Sequence, residues 1–324
     1  MTRVLLRDAG FLFSVAKLKY LVLAGPTAVG KTEIAIRVAQ ALGTEIVGCD
    51  AFQIYQSLDI LTAKPSFSQR TSTRHHLIGV LPLTELCDAH KYALLAGQIV
   101  TDLNRNGVVP LVVGGTGFYL QALEGAVPPL PAANSALRQE LDRLSTAELL
   151  RDLENLDPVT SKRIDRQNRR RIVRALEVCV LSGKPFSASL QRTPTDPPLA
   201  AILLDRPRAE LVVRIDRRVD AMFEQGVVDE VAAIGPIGST ALQTIGFQPI
   251  RSLIAGTLDE RSCKELIKKQ TRNYAKRQMT WFRRRQCRVI PAESSLDHLT
   301  SALDCSSRTA EAFVGGLISK SISP

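Results

Sequence analysis

The sequence predicts an α/β protein: a parallel sheet with helices on both faces, interrupted by an all-helical segment. Three observations carry that expectation. Short apolar runs alternate with amphipathic patterns over residues 20–125, the rhythm of βαβ units. One of these runs, Leu21-Val22-Leu23-Ala24, leads straight into a Gly-rich turn and a helical pattern. Two Pro-rich stretches, 126–135 and 191–199, bracket a charged helical region, after which an apolar run resumes at 199–205.

The elements follow in order. "YLVLAG" reads as a strand and "KTEIAIRVAQAL" as a helix, with Ile34, Val38 and Ala41 on one face. "EIVGCD" and "VVPLVVGG" read as further strands, and "LAAILLD" as a fourth. Long helical patterns occupy about 207–234 and 258–285. The 324 residues therefore divide into an N-terminal extension (1–19), a core in two pieces (20–125 and 200–287), a helical insertion (126–199) and a weakly patterned tail (288–324). The extension carries two arginines and a short apolar patch, faintly like a signal peptide, and reads as a frayed extension or an over-called start.

Composition limits the function. No apolar run approaches the ~18–20 residues of a membrane span. With 42 Lys and Arg against 32 Asp and Glu, the net charge of +10 favours an anionic partner, nucleic acid first. Six cysteines without C-x-x-C spacing suggest neither a zinc knuckle nor a redox motif, and their sparseness fits a reducing, cytoplasmic setting. The adjacent His75 and His76 are poorly spaced to chelate one metal.

The turn after the first strand is Gly25-Pro26-Thr27-Ala28-Val29-Gly30-Lys31-Thr32, which fits G-x-x-x-x-G-K-[ST]. Such a loop points several N–H groups at one anion, and the following helix start adds its dipole. Lys31 supplies a mobile charge, and the Thr32 hydroxyl is the candidate Mg²⁺ ligand. The fold expected is thus P-loop α/β, nucleotide-kinase-like. The motif leaves the phosphate ester open. The strand "PLVVGGTG" ends in glycines and Thr116 rather than the Asp of a motor ATPase. The nearest carboxylate at a strand end is Asp50, either a base or a helix cap.

Basic residues cluster. Residues 161–174 hold seven with one acid; residues 264–288 hold ten with one acid, interleaved with Tyr274, Trp281 and Phe282. Such density suits an RNA backbone. Trp281 and Phe282 read as core-facing rather than base-stacking. On a helix, Arg170, Arg171 and Arg174 share a side opposite Ile172 and Leu176.

"GPTAVGKTEIA", "CDAFQIYQSLDILTAKP", "RHHLI", "PLVVGGTGFYLQAL", "DPVTSKRI", "RRIVRALEV" and "TRNYAKRQMTWFRR" occur in that order. Together they resemble the bacterial tRNA dimethylallyltransferases, the tRNA isopentenyltransferases, from about residue 20 to 285. That resemblance implies transfer of a dimethylallyl group from dimethylallyl diphosphate to N6 of the adenosine 3′ of the anticodon, in tRNAs reading codons that start with U. It implies that the loop holds the donor's diphosphate, with Mg²⁺. It makes Asp50 the base, Thr116 its neighbour at the reacting centre and Arg218 a diphosphate contact. To tRNA it assigns Asp50, Ala51, Phe52, Gln53, Thr116, Arg138, Arg170, Arg171 and Arg174. It adds Gln243, Thr244, Ile245, Gly246, Phe247 and Gln248, and then Lys276, Arg277, Gln278, Trp281 and Arg283.

Three positions depart from the family pattern: Ala51 where Ser is usual, Leu61 where Gly is usual, and Gly79 where Asp is usual. The tail lacks paired Cys and His at zinc-finger spacing. Other readings are a small-molecule kinase on the same fold, prenylation of free AMP or ADP, and a non-catalytic RNA-binding module. The Arg-rich helices disfavour the first two, and Lys31, Thr32 and Asp50 disfavour the third. The expected state is a monomer without a membrane anchor.

Overall fold

The computed structural model describes residues 18–128, 130–189, 198–285 and 287–303. The strands are β1 (Leu21–Ala24), β2 (Ile46–Cys49), β3 (His75–His76), β4 (Leu111–Gly114), β5 (Ala200–Asp205) and β6 (Arg288–Pro291). Among the described residues they form one sheet, ordered β3-β2-β4-β1-β5-β6. Every pairing is parallel. Successive side chains on a strand point to opposite faces, so a parallel sheet needs cover on both.

One face buries Val22, Ala24, Val47, Cys49 and Val112. It is covered by α3 (Ala89–Arg105) and α4 (Gly117–Leu123), where Tyr92 and Tyr119 stack with ring centroids 4.3 Å apart. The other face buries Leu21, Leu23, Ile46, Leu111, Ile202 and Leu204 beneath α1 (Lys31–Leu42). In α1, Ile34 and Val38 are buried as the pattern predicts, but Ala41 is exposed; Ala35 and Ala39 complete the buried stripe.

The short α2 (Phe67–Ser72) precedes β3. Between α4 and β5 the chain forms α5 (Ser135–Arg143), α6 (Thr146–Leu156), α7 (Pro158–Arg163), α8 (Arg169–Ser182) and α9 (Phe186–Ser189). This helical insertion has its own core, built on Leu149, Leu153, Ile172 and Leu176. The buried Asp157 caps α7, accepting from Thr160 and Ser187 through backbone and side chain. Burial would raise its pKa, but those hydrogen bonds outweigh burial and hold it below the ordinary value.

After β5 come α10 (Arg208–Glu224), α11 (Val227–Ala232), α12 (Phe247–Ile254) and α13 (Glu260–Phe282). The long pattern at 207–234 is two helices, broken at Gly226, whose φ of 88° is left-handed. Helices α10 and α13 are tied by Arg272 to Asp216 at 2.7 Å and Lys268 to Asp220 at 2.9 Å. With α11, α12 and the loop at Leu58 and Leu61 they enclose a further small core.

The tail expected from 288 onward needs correction. Its first residues form β6, which pairs with β5, and α14 (Leu296–Leu303) packs on the α1 face. Both belong to the core. The N-terminal extension up to residue 17, the Pro-rich residues 190–197 and the tail beyond 303 lie outside the described residues.

Candidate active site

The sheet register brings Ala24, Cys49 and Gly114 level at the carboxyl edge of β1, β2 and β4. The residues just past that edge are the phosphate loop, Asp50 and Gly115-Thr116. Parallel sheets gather chemistry at this edge.

In the loop, Ala28 and Gly30 take positive φ, 65° and 104°, which curls the backbone around a concavity. Thr27, Ala28, Gly30, Lys31 and Thr32 line a cleft of about 590 Å³. Gly25, Pro26 and Val29 are buried and do not line it. Proline has no N–H to give an anion. The carbonyls of Gly25 and Pro26 accept instead from Lys31 Nζ, at 3.0 and 2.8 Å. Burial pulls the Lys31 pKa down to about 8, against the attraction of Asp50 and with help from the Arg218 charge.

Asp50 faces the same cleft. Its Oδ1 accepts from the Phe52 and Gln53 amides at 2.9 and 3.2 Å, so it shapes the turn after β2 as well as offering a carboxylate. Thr116 stands beside it: its Oγ1 accepts from the Ala51 amide at 3.1 Å, and its own amide donates to the Cys49 carbonyl at 3.2 Å. Tyr274 of α13 pairs its hydroxyl with the Thr116 side chain. Its pKa is raised, first by burial and then by the Asp50 charge. Burial pushes the Cys49 thiol up to about 12, so it is no nucleophile at neutral pH.

Three arginines, Arg206 just after β5 and Arg214 and Arg218 on α10, hydrogen-bond the loop, and the last two also line the cleft. Arg206 Nε donates to the Val29 carbonyl at 2.8 Å, Arg214 Nε to the Ala28 carbonyl at 2.8 Å, and Arg218 to Thr27 Oγ1 at 3.1 Å. Burial lowers the Arg218 pKa from its high ordinary value, and the Asp50 charge opposes this. Arg206 and Arg214 were not anticipated. The signal available was spacing: Arg206 directly follows a strand end, and Arg214 lies one helical turn before Arg218.

Thr27, Asp50, Thr62 and Arg218 also border a second, small pocket of about 60 Å³, whose apolar wall includes Phe52, Leu61, Met222 and Ile245. The Phe52 and Tyr274 rings are 6.5 Å apart there. Gln53 braces the opposite loop, its amide donating to the Thr62 and Ala63 carbonyls at 3.0 Å. Glu230 caps the same loop, accepting from the Ile60 and Leu61 amides at 2.8 and 2.9 Å, and no sequence motif announced it.

Of the departures, Ala51 keeps the backbone bond to Thr116, while Leu61 packs against Gly246 in the α10–α13 core. Gly79 sits at φ 62°, a conformation strained for other residues.

A third cavity, about 1340 Å³, lies between the insertion and the core. Arg138, Arg163, Arg169, Arg170, Arg171 and Arg174 line it, with Asp142 as the acid among the lining residues. Gln243 lines it too, accepting from Arg170 Nη1 at 3.0 Å, while the next residues, Thr244 and Ile245, line the small pocket. Segment 243–245 therefore joins the arginine cleft to the pocket, and Asp50 joins the pocket to the phosphate cleft.

Several residues assigned to tRNA are committed elsewhere. Arg138 makes two 2.9 Å bonds to the buried Glu177, and Arg174 makes a 2.6 Å bond to the same carboxylate. Phe247 is 3% exposed within the α10–α13 core, so its ring is unavailable to RNA. Thr244 is buried and its hydroxyl donates to the Ala241 carbonyl. The Trp281 indole packs on Gly117, where an added Cβ would come within 2.2 Å of the ring, and Arg285 covers it at 4.5 Å. Gln278 is buried. By contrast Arg170, Arg171, Gln243, Gln248, Lys276, Arg277 and Arg283 are exposed.

Among the described residues no three His, Cys, Asp or Glu cluster into a metal cage. Thr32 and Asp50 offer oxygens to the phosphate cleft, a sparse set that fits a hard cation completed by diphosphate and water oxygens. No helix among the described residues is long and apolar enough to cross a membrane.

Fold and site together define a class: parallel α/β proteins with a Gly-rich loop at the head of a helix, facing a carboxylate across one cleft. Comparison narrows it. A family model described as IPP transferase matches residues 53–285, and the chain belongs to that family. It is 38% identical over 280 residues to a tRNA dimethylallyltransferase of Geobacter sulfurreducens, covering 83% of this chain and 90% of the relative. Its fold is similar to the crystal structure of a tRNA delta(2)-isopentenylpyrophosphate transferase from Staphylococcus epidermidis, with a TM-score of 0.61, 30% identity, and 87% and 96% of the two chains covered. A eukaryotic dimethylallyltransferase captured acting on tRNA superposes with a TM-score of 0.72 at 27% identity, covering 85% of this chain and 74% of that one.

Proposed function

We propose that this chain transfers the dimethylallyl group of dimethylallyl diphosphate to N6 of the adenosine 3′ of the anticodon, in tRNAs reading codons that start with U. The products are N6-(dimethylallyl)adenosine and diphosphate. The observation that carries the reading is the series of three cavities, with Asp50 shared by the phosphate cleft and the small pocket.

The donor enters from the phosphate side. Loop N–H groups, Lys31 and Arg218 bind its diphosphate and stabilise the charge that grows as the C–O bond breaks. Thr32 would hold Mg²⁺, which when bound neutralises part of that charge. The tRNA docks along the arginine cleft, and its target adenosine leaves the stack to reach the small pocket. As N6 forms its bond to the allylic carbon, Asp50 accepts the N6 proton. Thr116 and Tyr274 hold Asp50's surroundings in place. The protein works as a monomer in the cytoplasm, a reducing compartment that the free thiols at Cys49, Cys87, Cys179, Cys263 and Cys287 suit.

The test is direct. Purified protein is incubated with Mg²⁺, dimethylallyl diphosphate and unmodified tRNA carrying A-A-A at the target, and the digested nucleosides are weighed by mass spectrometry. A dimethylallyl increment on one adenosine is expected. An increment on free AMP with none on tRNA, or ATP consumption without tRNA, would overturn the proposal.

A further inference from the structure

Gln278 lies on α13, far in sequence from the loop, and is 5% exposed. Its Oε1 accepts from the Thr27 amide at 2.9 Å, and its Nε2 donates to the Gly115 carbonyl at 2.9 Å. The two bonds use opposite ends of one carboxamide. Each joins an arm of the site. Thr27 leads to the diphosphate arm, since its hydroxyl accepts from Arg218. Gly115 leads to the base arm, since Thr116 follows it and binds Ala51 beside Asp50.

The fit allows no slack. A Cβ on Gly115 would lie 2.1 Å from Gln278 Nε2, so the glycine is what admits the amide. Trp281, one turn along α13, seats on Gly117 in the same way. Helix α13 therefore grips the turn after β4 at two points and reaches across to the phosphate loop at one of them.

We infer that Gln278 is a positioning residue: it sets the separation between the leaving diphosphate and the Asp50–Thr116 corner, and it does not contact tRNA. This inference rests on the transfer reaction proposed above for its kinetic readout. Only an amide of this length does the task. Glutamate loses the donor to Gly115 and places an anion against its carbonyl. Leucine loses both bonds. Misplacement of about 1 Å at a reacting centre can cost on the order of 10²-fold in rate.

The experiment compares wild type with Gln278→Glu and Gln278→Leu, the first retaining the side chain's size should the second fail to fold. Three quantities are read: the transfer rate at saturating tRNA and donor, tRNA affinity, and the affinity of inorganic pyrophosphate with Mg²⁺. The expected result is a rate at least tenfold lower in both variants, pyrophosphate bound several-fold more weakly, and tRNA affinity within about twofold of wild type. Weakened tRNA binding with an intact saturated rate overturns the inference and returns Gln278 to the tRNA surface. Folded variants with unchanged rate and pyrophosphate affinity also overturn it. Absent transfer by wild type, with pyrophosphate still weakened in the variants, sinks the proposed reaction while leaving the positioning role supported.

Discussion

Lys31 makes the site sensitive to pH in a calculable way. In the free protein its ammonium is buried against the carbonyls of Gly25 and Pro26, and burial brings its pKa from 10.5 to about 8. A bound diphosphate places negative charge beside it, and opposite charge favours the ammonium. The complex therefore holds Lys31 fully protonated across the neutral range. At pH 8 the free protein holds about half a proton there, so binding takes up about half a proton. At pH 9 only about one tenth of the free protein is charged at this site, and donor affinity falls about tenfold between pH 7 and pH 9. Calorimetry of dimethylallyl diphosphate binding, without tRNA and in buffers of different ionisation enthalpy, measures both quantities. Lys31→Arg, whose guanidinium stays charged, flattens the profile. Flat affinity and no proton uptake with Lys31 in place would refute the reasoning, because Asp50 would then be holding the ammonium charged. The same shift has a sign in stability. The unfolded chain binds the Lys31 proton more tightly than the native one, so this group makes stability rise with pH from about 8 to 10.5.

Other outcomes follow from the same geometry. Asp50→Asn keeps an oxygen for the Phe52 and Gln53 amides but removes the base, so transfer falls by about 10²–10⁴-fold while tRNA affinity stays within a few-fold, as single-turnover and filter-binding measurements would read. Arg170→Ala with Arg171→Ala weakens tRNA binding and lowers the slope of log affinity against log salt by about two, whereas an unchanged slope means that these side chains only face solvent. Glu177→Gln leaves Arg138 and Arg174 without their carboxylate. Both arginines are partly exposed and can rehydrate, so the loss is about 2 kcal/mol, below the ~3–5 of a fully buried pair, measurable as thermal stability of the insertion. Gly117→Ala drives a methyl into the Trp281 ring and costs about 2 kcal/mol, and Trp281→Leu in the same chain recovers part of it; additive losses would contradict the contact.

The alternation of apolar runs made β1, β2, β4 and β5 legible, because parallel strands covered on both faces are apolar throughout. It could not reveal β6, an edge strand in which only Ile290 is buried, or β3, which is two residues long. The phosphate loop and Asp50 were legible from local motifs. Their partners were not, because Arg206, Arg214 and Gln278 reach the loop across long sequence separations. The glycines of "GGTG" and the Gln and Trp of "KRQMTW" are one structural unit: each motif is visible alone, but nothing in either states that the second fills the space the first leaves.

Charge density in the sequence also overstates the RNA footprint, for a physical reason. A guanidinium donates in a fixed fork, and a fork already engaged by a buried or half-buried carboxylate or by a loop carbonyl is not free to replace a counterion on a phosphate. Arg138, Arg174, Arg272 and Arg285 answer to Glu177, Asp216 and Glu124. Arg206, Arg214 and Arg218 answer to the phosphate loop. Arg163, Arg166, Arg170, Arg171, Lys276, Arg277, Arg283 and Arg284 remain exposed, on α7, before and at the start of α8, and near the end of α13. The salt dependence of tRNA binding should therefore follow this exposed set rather than the net charge of +10. Neutralising Arg272 or Arg285 then lowers stability without changing the slope, and neutralising Arg170 or Arg277 does the reverse.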